Sequence, residues 1–244
     1  MEFLEFKERI SNEFSERVGT ELSESQCQTF FDYMNLLTEK NKVMNLTTIT
    51  EPKEVILRHF VDSVMTFKFL EDKIDGKKVA DIGTGAGFPG IPLAIIYPDA
   101  EFVLTDTLGK RINFLQDVLD KTLIKNVKLY KARVEDFAHD KMVREKFDYV
   151  VSRGVAKLSV LVEYSLPLVK VGGKMIALKM NDCDEELNEA ERAFTILGGM
   201  FHVKHSYTLI DDEPKRCAIE IEKIKSSPKS YPRKAGTPSK TPLK

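Results

Sequence analysis

Only three residues of the 244 are cysteine, and Cys27, Cys183 and Cys217 stand far apart with no C-x-x-C pair. That spacing excludes a disulfide scaffold and a zinc ribbon, and no metal site is expected. The thiols read as buried, idle groups in a reducing compartment. No apolar run approaches the roughly 20 residues that span a bilayer. The opening MEFLEFKERI is too charged and acidic for a secretory signal. The expectation is a soluble cytoplasmic protein with no membrane partner. Net charge is also nearly absent: 37 Lys and Arg face 38 Asp and Glu, a formal −1, so the whole molecule is not a basic nucleic-acid binder. The balance is uneven, however. Residues 225–244 hold Lys225, Lys229, Arg233, Lys234, Lys240 and Lys244 and no acid, which leaves −7 on residues 1–224. A basic tail on an acidic body suggests a polyanion-seeking segment.

What remains is 42% hydrophobic and 31% charged, enough for a packed core. Residues 1–76 read as a helical extension. Ser23 and Gln26 fit a capping box, and Cys27, Phe30, Phe31, Met34 and Leu37 recur at helical spacing. Asn41 to Thr50 reads as a loop, and Pro52 suits the first turn of a second helix running past Phe67. From residue 77 to 224 strands alternate with helices. Strands are expected at 78–82, 101–106, 127–130, 147–151 and 174–178, with Gly172-Gly173 as the turn into the last. Two closing strands, 201–209 and 218–224, suggest one antiparallel edge. This pattern predicts an α/β fold, a doubly wound, mostly parallel sheet. The tail, residues 225–244, has four prolines and many small polar residues, and by composition is extended or mobile.

The strongest chemical signal is DIGTGAGFPG, where the first strand meets the first helix. Gly83, Gly85, Gly87 and Gly90 are more glycines than a turn needs, and they let a ligand approach the backbone. The dinucleotide fingerprint is G-x-G-x-x-G. Here the spacing is G-x-G-x-G behind Asp81, and a carboxylate aimed at this turn suits a cationic ligand better than a pyrophosphate. That argues against a nicotinamide oxidoreductase. Asp106 ends the second strand, where an acid takes a ribose hydroxyl pair or complements a helix dipole. Glu135, with the amide of Val134, is placed to read an adenine edge or to sit solvated on the surface. Arg153 follows the fourth strand and could hold a cofactor carboxylate, an RNA phosphate, a base or a structural partner.

The glycines and acids resemble S-adenosylmethionine-dependent methyltransferases with a Rossmann-like core. Met44-Asn45-Leu46-Thr47, His59-Phe60-Val61-Asp62-Ser63, DIGTGAGFPGIP, Asp106 with Lys110-Arg111, Arg153-Gly154-Val155-Ala156 and YPRKAGTPSKTPL are similar to one family across nearly the whole chain from Leu22. That family is the glucose-inhibited division protein B family of bacterial small-subunit ribosomal RNA guanine-N7 methyltransferases. The resemblance implies methylation of one guanine N7 in the decoding-region loop of 16S rRNA, naked or within a small subunit or assembly intermediate. It implies S-adenosyl-L-methionine as cofactor, held by Gly83, Phe88, Val134, Glu135 and Arg153, with Asp81, Asp106 and the rest of the turn (Gly85, Gly87) expected from the superfamily. The family usually has R-A-V-A at Arg153-Gly154-Val155-Ala156 and Lys-Gly at Lys179-Met180.

The chemistry agrees. Guanine N7 has a free lone pair and no proton to lose, so positioning suffices and no general base is required. No N-P-P-Y segment follows the fourth strand, as an exocyclic-amine enzyme would have, and no Pro-Cys pair supplies a cytosine-C5 nucleophile. His59, Asp62 and Ser63 lie within one helical turn, but Ser63 lacks the G-x-S-x-G elbow of a hydrolase. Arg153 is the candidate catalytic residue. His59, Lys110, Arg111, Arg233 and Lys234 are the candidate RNA contacts, although paired exposed bases ordinarily make only a solvated face. A monomer is expected. The rival readings are methylation of another RNA atom or a small molecule, and a non-catalytic RNA-binding protein.

Overall fold

The computed structural model describes residues 1–70, 73–180, 183–211 and 213–243, so Lys244 of the basic tail lies outside the described residues. The chain opens with α1 (Phe3–Glu13), a π-helical turn at Phe14–Val18 and α2 (Glu24–Met44). Both halves of the capping box form: the Ser23 hydroxyl accepts from the Gln26 N–H, and the Gln26 side chain accepts from the Ser23 N–H. Cys27, Phe30, Met34 and Leu37 are buried as their spacing requires, and Tyr33 joins them. Pro52 opens α3 (Pro52–Val55), which passes through a π-helical segment, Ile56–Val61, into α4 (Asp62–Lys68). Aromatic contacts knit these helices together and carry the core on to the sheet. Phe30 meets Phe14 and Phe60, and Tyr33 meets Phe60, Phe88 and Phe114.

The remaining elements are β1 (Lys78–Ile82), α5 (Gly90–Ile96), β2 (Glu101–Asp106), α6 (Gly109–Lys121), β3 (Val127–Lys131), α7 (Val134–Phe137), β4 (Phe147–Arg153), α8 (Leu158–Ser165), β5 (Val169–Met180), α9 (Asp184–Leu197), β6 (Gly199–Tyr207), β7 (Arg216–Lys223) and α10 (Thr237–Lys240). They build one seven-stranded sheet in the order β3-β2-β1-β4-β5-β7-β6. β1 to β5 run parallel, and β7 runs antiparallel to both of its neighbours. The reversal therefore falls one place in from the edge strand, β6. The chain winds outward from β1 to β3 and then returns to lay β4 beside β1. At such a switch point the crevice beyond the strand ends is left open for a ligand. The glycine turn leaves β1 there, and Arg153 ends β4 there.

Three expectations change. Gly172 and Gly173 lie inside β5 rather than ahead of it, where the β4 register slips between Phe147 and Tyr149. A Cβ on Gly173 would stand 2.5 Å from the Asp148 carbonyl oxygen, so glycine serves a close strand approach there and not a turn. Cys27 is a buried free thiol, but Cys183 and Cys217, 34 residues apart, bring their sulfurs together where the chain ahead of α9 meets β7. The tail is packed against the body, with Ser227 and Pro238 buried. Many of its hydrogen-bonding partners come from residues 70 or more positions earlier, among them His139, Arg144, Glu145 and Glu163. Composition carries no trace of such partners, which is why the segment read as mobile.

Tyr33 links the helical extension to the ligand crevice. Fully buried, it donates its hydroxyl to the Ala86 carbonyl at 2.5 Å, inside the glycine turn. Tyr33→Phe leaves that carbonyl unpaired and should cost about 1–3 kcal/mol. Urea unfolding should show a lower midpoint with an unchanged slope.

Candidate functional site

Gly83, Gly85 and Gly87 have φ of 68°, 63° and 106°, a region that L side chains rarely adopt. The Gly83 and Thr84 N–H groups donate to the Thr105 carbonyl, which ties the turn to β2. A Cβ on Gly87 would meet the Tyr33 hydroxyl at 2.7 Å, whereas one on Gly85 would meet nothing within 4 Å. Beneath the turn Asp81 is fully buried. Its Oδ2 accepts from the Thr84 hydroxyl at 2.6 Å and the Gly90 N–H at 2.8 Å, while Oδ1 has no partner. Burial pushes its carboxyl up to about 6, against the hydrogen bonds and nearby Arg153 that favour the charged form. A buried carboxylate with an idle oxygen, under an open backbone cradle, fits a cationic ligand.

A cavity of about 400 Å³ opens beside this turn, walled by Gly83, Asp106, Val134, Glu135 and Gly154. Asp106 is buried at the end of β2. It accepts from the Gly85 N–H at 3.0 Å, the Leu108 N–H at 2.9 Å and Arg111 at 3.0 Å. Those three donors hold both carboxylate oxygens at the cavity wall. Arg111 thus belongs to this cavity as the partner of Asp106, whereas its neighbour Lys110 is exposed. Glu135 is buried at the start of α7 and accepts from the Gly236 N–H at 3.0 Å, so the tail reaches this wall as well.

A second cavity, of about 710 Å³, is lined by Arg153 and shares Gly154 with the first. Gly154 has φ of 66°, a conformation that glycine adopts without strain. The organising group is Asp62, buried on α4. It accepts from Arg153 at 3.1 Å, Arg216 at 2.9 Å and the Tyr207 hydroxyl at 2.9 Å. Arg153 also donates to the Arg58 carbonyl and to His59 Nδ1, each at 3.2 Å. Its guanidinium lies 4.9 Å from the Phe88 ring centre, and Phe88 stacks on His59 at 4.3 Å. Because His59 Nδ1 accepts from an arginine, Nε2 carries the proton and donates to Thr47 Oγ1 at 2.8 Å. Burial first and Arg153 second push the imidazole down to about 3, so it is neutral at physiological pH. Ser63 donates to the His59 carbonyl and not to the ring, which removes the triad geometry.

Arg58, Arg153, Lys179 and Arg216 face this cavity against Asp62 and Glu186, a surplus of positive charge. Exposed Met180 lies at its rim. Sequence reasoning missed Arg58, Tyr207 and Arg216. Arg58 comes with the helical segment that carries His59, and the antiparallel pairing of Met180 with Arg216, and of Arg216 with Tyr207, brings the other two here. The structure separates the two expected tail contacts. Lys234 is exposed, but Arg233 is locked onto fully buried Glu163 by bonds of 3.0 and 2.7 Å. Among the described residues no group of three or more His, Cys, Asp or Glu could hold a metal ion, and no helix is long and apolar enough to cross a membrane.

The family model described as "GidB: rRNA small subunit methyltransferase G" matches residues 26–206. A curated protein of Desulfitobacterium hafniense (strain Y51), named ribosomal RNA small subunit methyltransferase G, is 45% identical over 239 residues, 98% of each chain. A protein of the same name from Desulforamulus reducens is 48% identical over 223 residues, 91% of this chain and 92% of that one. Among solved structures, a ribosomal protein L11 methylase from Lactobacillus delbrueckii subsp. bulgaricus superposes with a TM-score of 0.51 at 16% identity, over 69% of this chain and 79% of that chain, a likeness of fold.

If Asp106 holds a ribose, Asp106→Ala should weaken S-adenosylhomocysteine binding roughly 30-fold or more, the scale of losing charged hydrogen bonds. Titration calorimetry checks this. An unchanged affinity would remove the ribose assignment.

Proposed function

The chain belongs to the GidB family, rRNA small subunit methyltransferase G, and from that premise we propose that it transfers a methyl group from S-adenosylmethionine to N7 of one guanine in the decoding-region loop of 16S rRNA. One observation carries the reading. An adenosine-sized cavity with Asp106 and Glu135 in its wall and a larger, cation-lined cavity with room for a nucleotide share Gly154, the residue after Arg153.

In this reading Asp106 takes the ribose hydroxyls and the Val134–Glu135 wall faces the adenine. Asp81 and the glycine turn hold the cationic end of the cofactor. S-adenosylmethionine supplies a sulfonium-bound methyl group that the N7 lone pair displaces in line. The chain's own residues then have one task, to hold the two centres in line. Arg153 is suited to it, because Asp62, His59, the Arg58 carbonyl and Phe88 fix its guanidinium in one orientation. From there it donates to the guanine O6 edge or to the cofactor carboxylate. Neutral His59 takes no proton, and N7 has none to give. The surplus cations, with exposed Lys110 and Lys234 outside, suit an RNA backbone. We place the enzyme in the cytoplasm as a monomer, acting on the small subunit or an assembly intermediate, where a folded decoding loop presents the base.

The reaction is tested with labelled S-adenosylmethionine and small ribosomal subunits that lack the modification. Label should appear at a single guanine N7 of the decoding-region loop. Cofactor binding without label on subunits or on naked rRNA would favour a different substrate or a non-catalytic RNA-binding role. Arg153→Met should lower turnover on the order of 10²-fold, comparable to removal of one preorganised donor, and a thermal melt registers separately the stability lost when Asp62 loses this partner.

Asp81 predicts a pH dependence. Its carboxyl is pushed up to about 6 by burial, so it is mostly ionised at pH 7 and mostly protonated at pH 5. Affinity for S-adenosylmethionine should therefore fall about tenfold between pH 7 and pH 5. Calorimetry on Asp81→Asn should give a flat profile at the weaker value. His59, held low at about 3, adds no step in this window.

A further inference from the structure

The C-terminal segment is anchored far more heavily than a solubilising tail requires, and its anchors end at a ligand cavity. Lys223, fully buried at the end of β7, donates to the Ser227 hydroxyl at 2.6 Å and pairs with Glu145 at 3.2 Å. Glu145 in turn accepts from the Ser227 N–H at 2.8 Å. Arg144 donates to the carbonyls of Ser227, Pro228 and Tyr231 at 3.2, 3.0 and 2.7 Å, and His139 donates to that of Pro232 at 2.7 Å. Glu163, with no exposed surface, takes the N–H of Arg233 at 2.8 Å and its guanidinium at 2.7 Å. A carboxylate buried that completely needs its cation, so Arg233 fixes the position of the chain beyond it.

Past this anchor the backbone forms a wall of the 400 Å³ cavity. Gly236 and Ser239 both line it, together with Val134 and Val155. The Gly236 N–H donates to Glu135 at 3.0 Å, and the Ser239 hydroxyl shares a 3.0 Å hydrogen bond with the Tyr164 hydroxyl. The Arg233 guanidinium then closes the segment on itself through the Thr241 carbonyl at 2.8 Å. Gly236 stands at φ 81°, and a Cβ there would meet no atom within 4 Å, so the backbone presents a bare surface. The carboxylate expected to face an adenine is thus held by the segment that closes the same end of the cavity.

We propose that residues 233–241 are a cofactor-binding element, with Gly236 and Ser239 forming the outer wall for the adenine ring. Exposed Lys234 apart, the segment is built to face the cofactor and not to grip RNA. This rests on the reading of that cavity as the adenosyl site. Ligand and strap then stabilise one another: the strap completes the adenine wall, and a bound adenine gives the strap a further contact.

The test uses the full-length protein, with S-adenosylhomocysteine in calorimetry and rRNA binding measured at several salt concentrations. Gly236→Val should weaken S-adenosylhomocysteine at least about tenfold, and the milder Ser239→Ala a few-fold, the scale of one lost hydrogen bond. The salt slope of RNA binding should not change. In the wild type, trypsin cleavage after Arg233, Lys234 and Lys240 should slow as S-adenosylhomocysteine saturates the protein, a readout independent of whether a variant folds. Normal S-adenosylhomocysteine affinity in both variants, or ligand-insensitive cleavage, would overturn the inference. So would a reduced salt slope with intact ligand affinity, which would return the segment to RNA. If the wild type itself fails to bind, the adenosyl reading falls and the strap inference with it.

Discussion

A single buried carboxylate holds the site together. Asp62 is contributed by the helical extension, Arg153 by the end of β4, and Arg216 with Tyr207 by the antiparallel strands beyond β5. Three parts of the chain that are remote in sequence must therefore be in place at once for Asp62 to be neutralised. Removing one partner from a buried charge set is strongly destabilising, on the order of 3–5 kcal/mol. That penalty makes the second cavity a consequence of folding rather than a set of side chains gathered by a ligand. It also explains why the N-terminal helices are not an appendage. The extension supplies Asp62 and His59, and through Tyr33 it braces the glycine turn on which the first cavity depends.

Much of this was legible in the sequence because it is local. The capping box at Ser23 and Gln26, the strand ending at Asp106 and the glycine spacing after Asp81 each depend on residues a few positions apart. Three of those glycines are held at positive φ, as the turn demands. The family resemblance extended this reading to the reaction. What sequence did not reveal is of another kind. Arg216 faces Asp62 only because β7 inserts antiparallel between β5 and β6, and the tail is ordered only because Arg144, Glu145 and Glu163 reach it from the other end of the core. Composition rates a Pro-rich basic stretch by what it can bury itself. It is silent about buried carboxylates elsewhere that need a cation.

Arg111 and Arg233 show the same limit at single residues. Each looks like a surface base suited to phosphate. Each is in fact spoken for by a buried acid, Asp106 in one case and Glu163 in the other. In a body with net negative charge, many arginines are claimed internally before any RNA arrives. The cations facing the second cavity are paired as well: Asp62 serves both Arg153 and Arg216, Glu213 serves Arg58 and reaches Arg216, and Glu186 serves Lys179.

The two cavities differ in charge. In the wall of the first, Asp106 and Glu135 are matched by Arg111 and Arg133, with Asp81 buried beneath the turn, whereas in the second four cations face Asp62 and Glu186. On the proposed reaction, positive charge leaves the sulfur and arrives on the purine ring, so it moves toward the side where cations are in surplus. Electrostatics alone would resist that shift, which places the weight of catalysis on alignment rather than on charge stabilisation. The same polarity suits the steps on either side. Acids attract a cationic cofactor, and cations attract an anionic RNA with a neutral base. Once methylated, the base carries a charge that the surrounding guanidiniums repel, so product leaves a site that its substrate was drawn into.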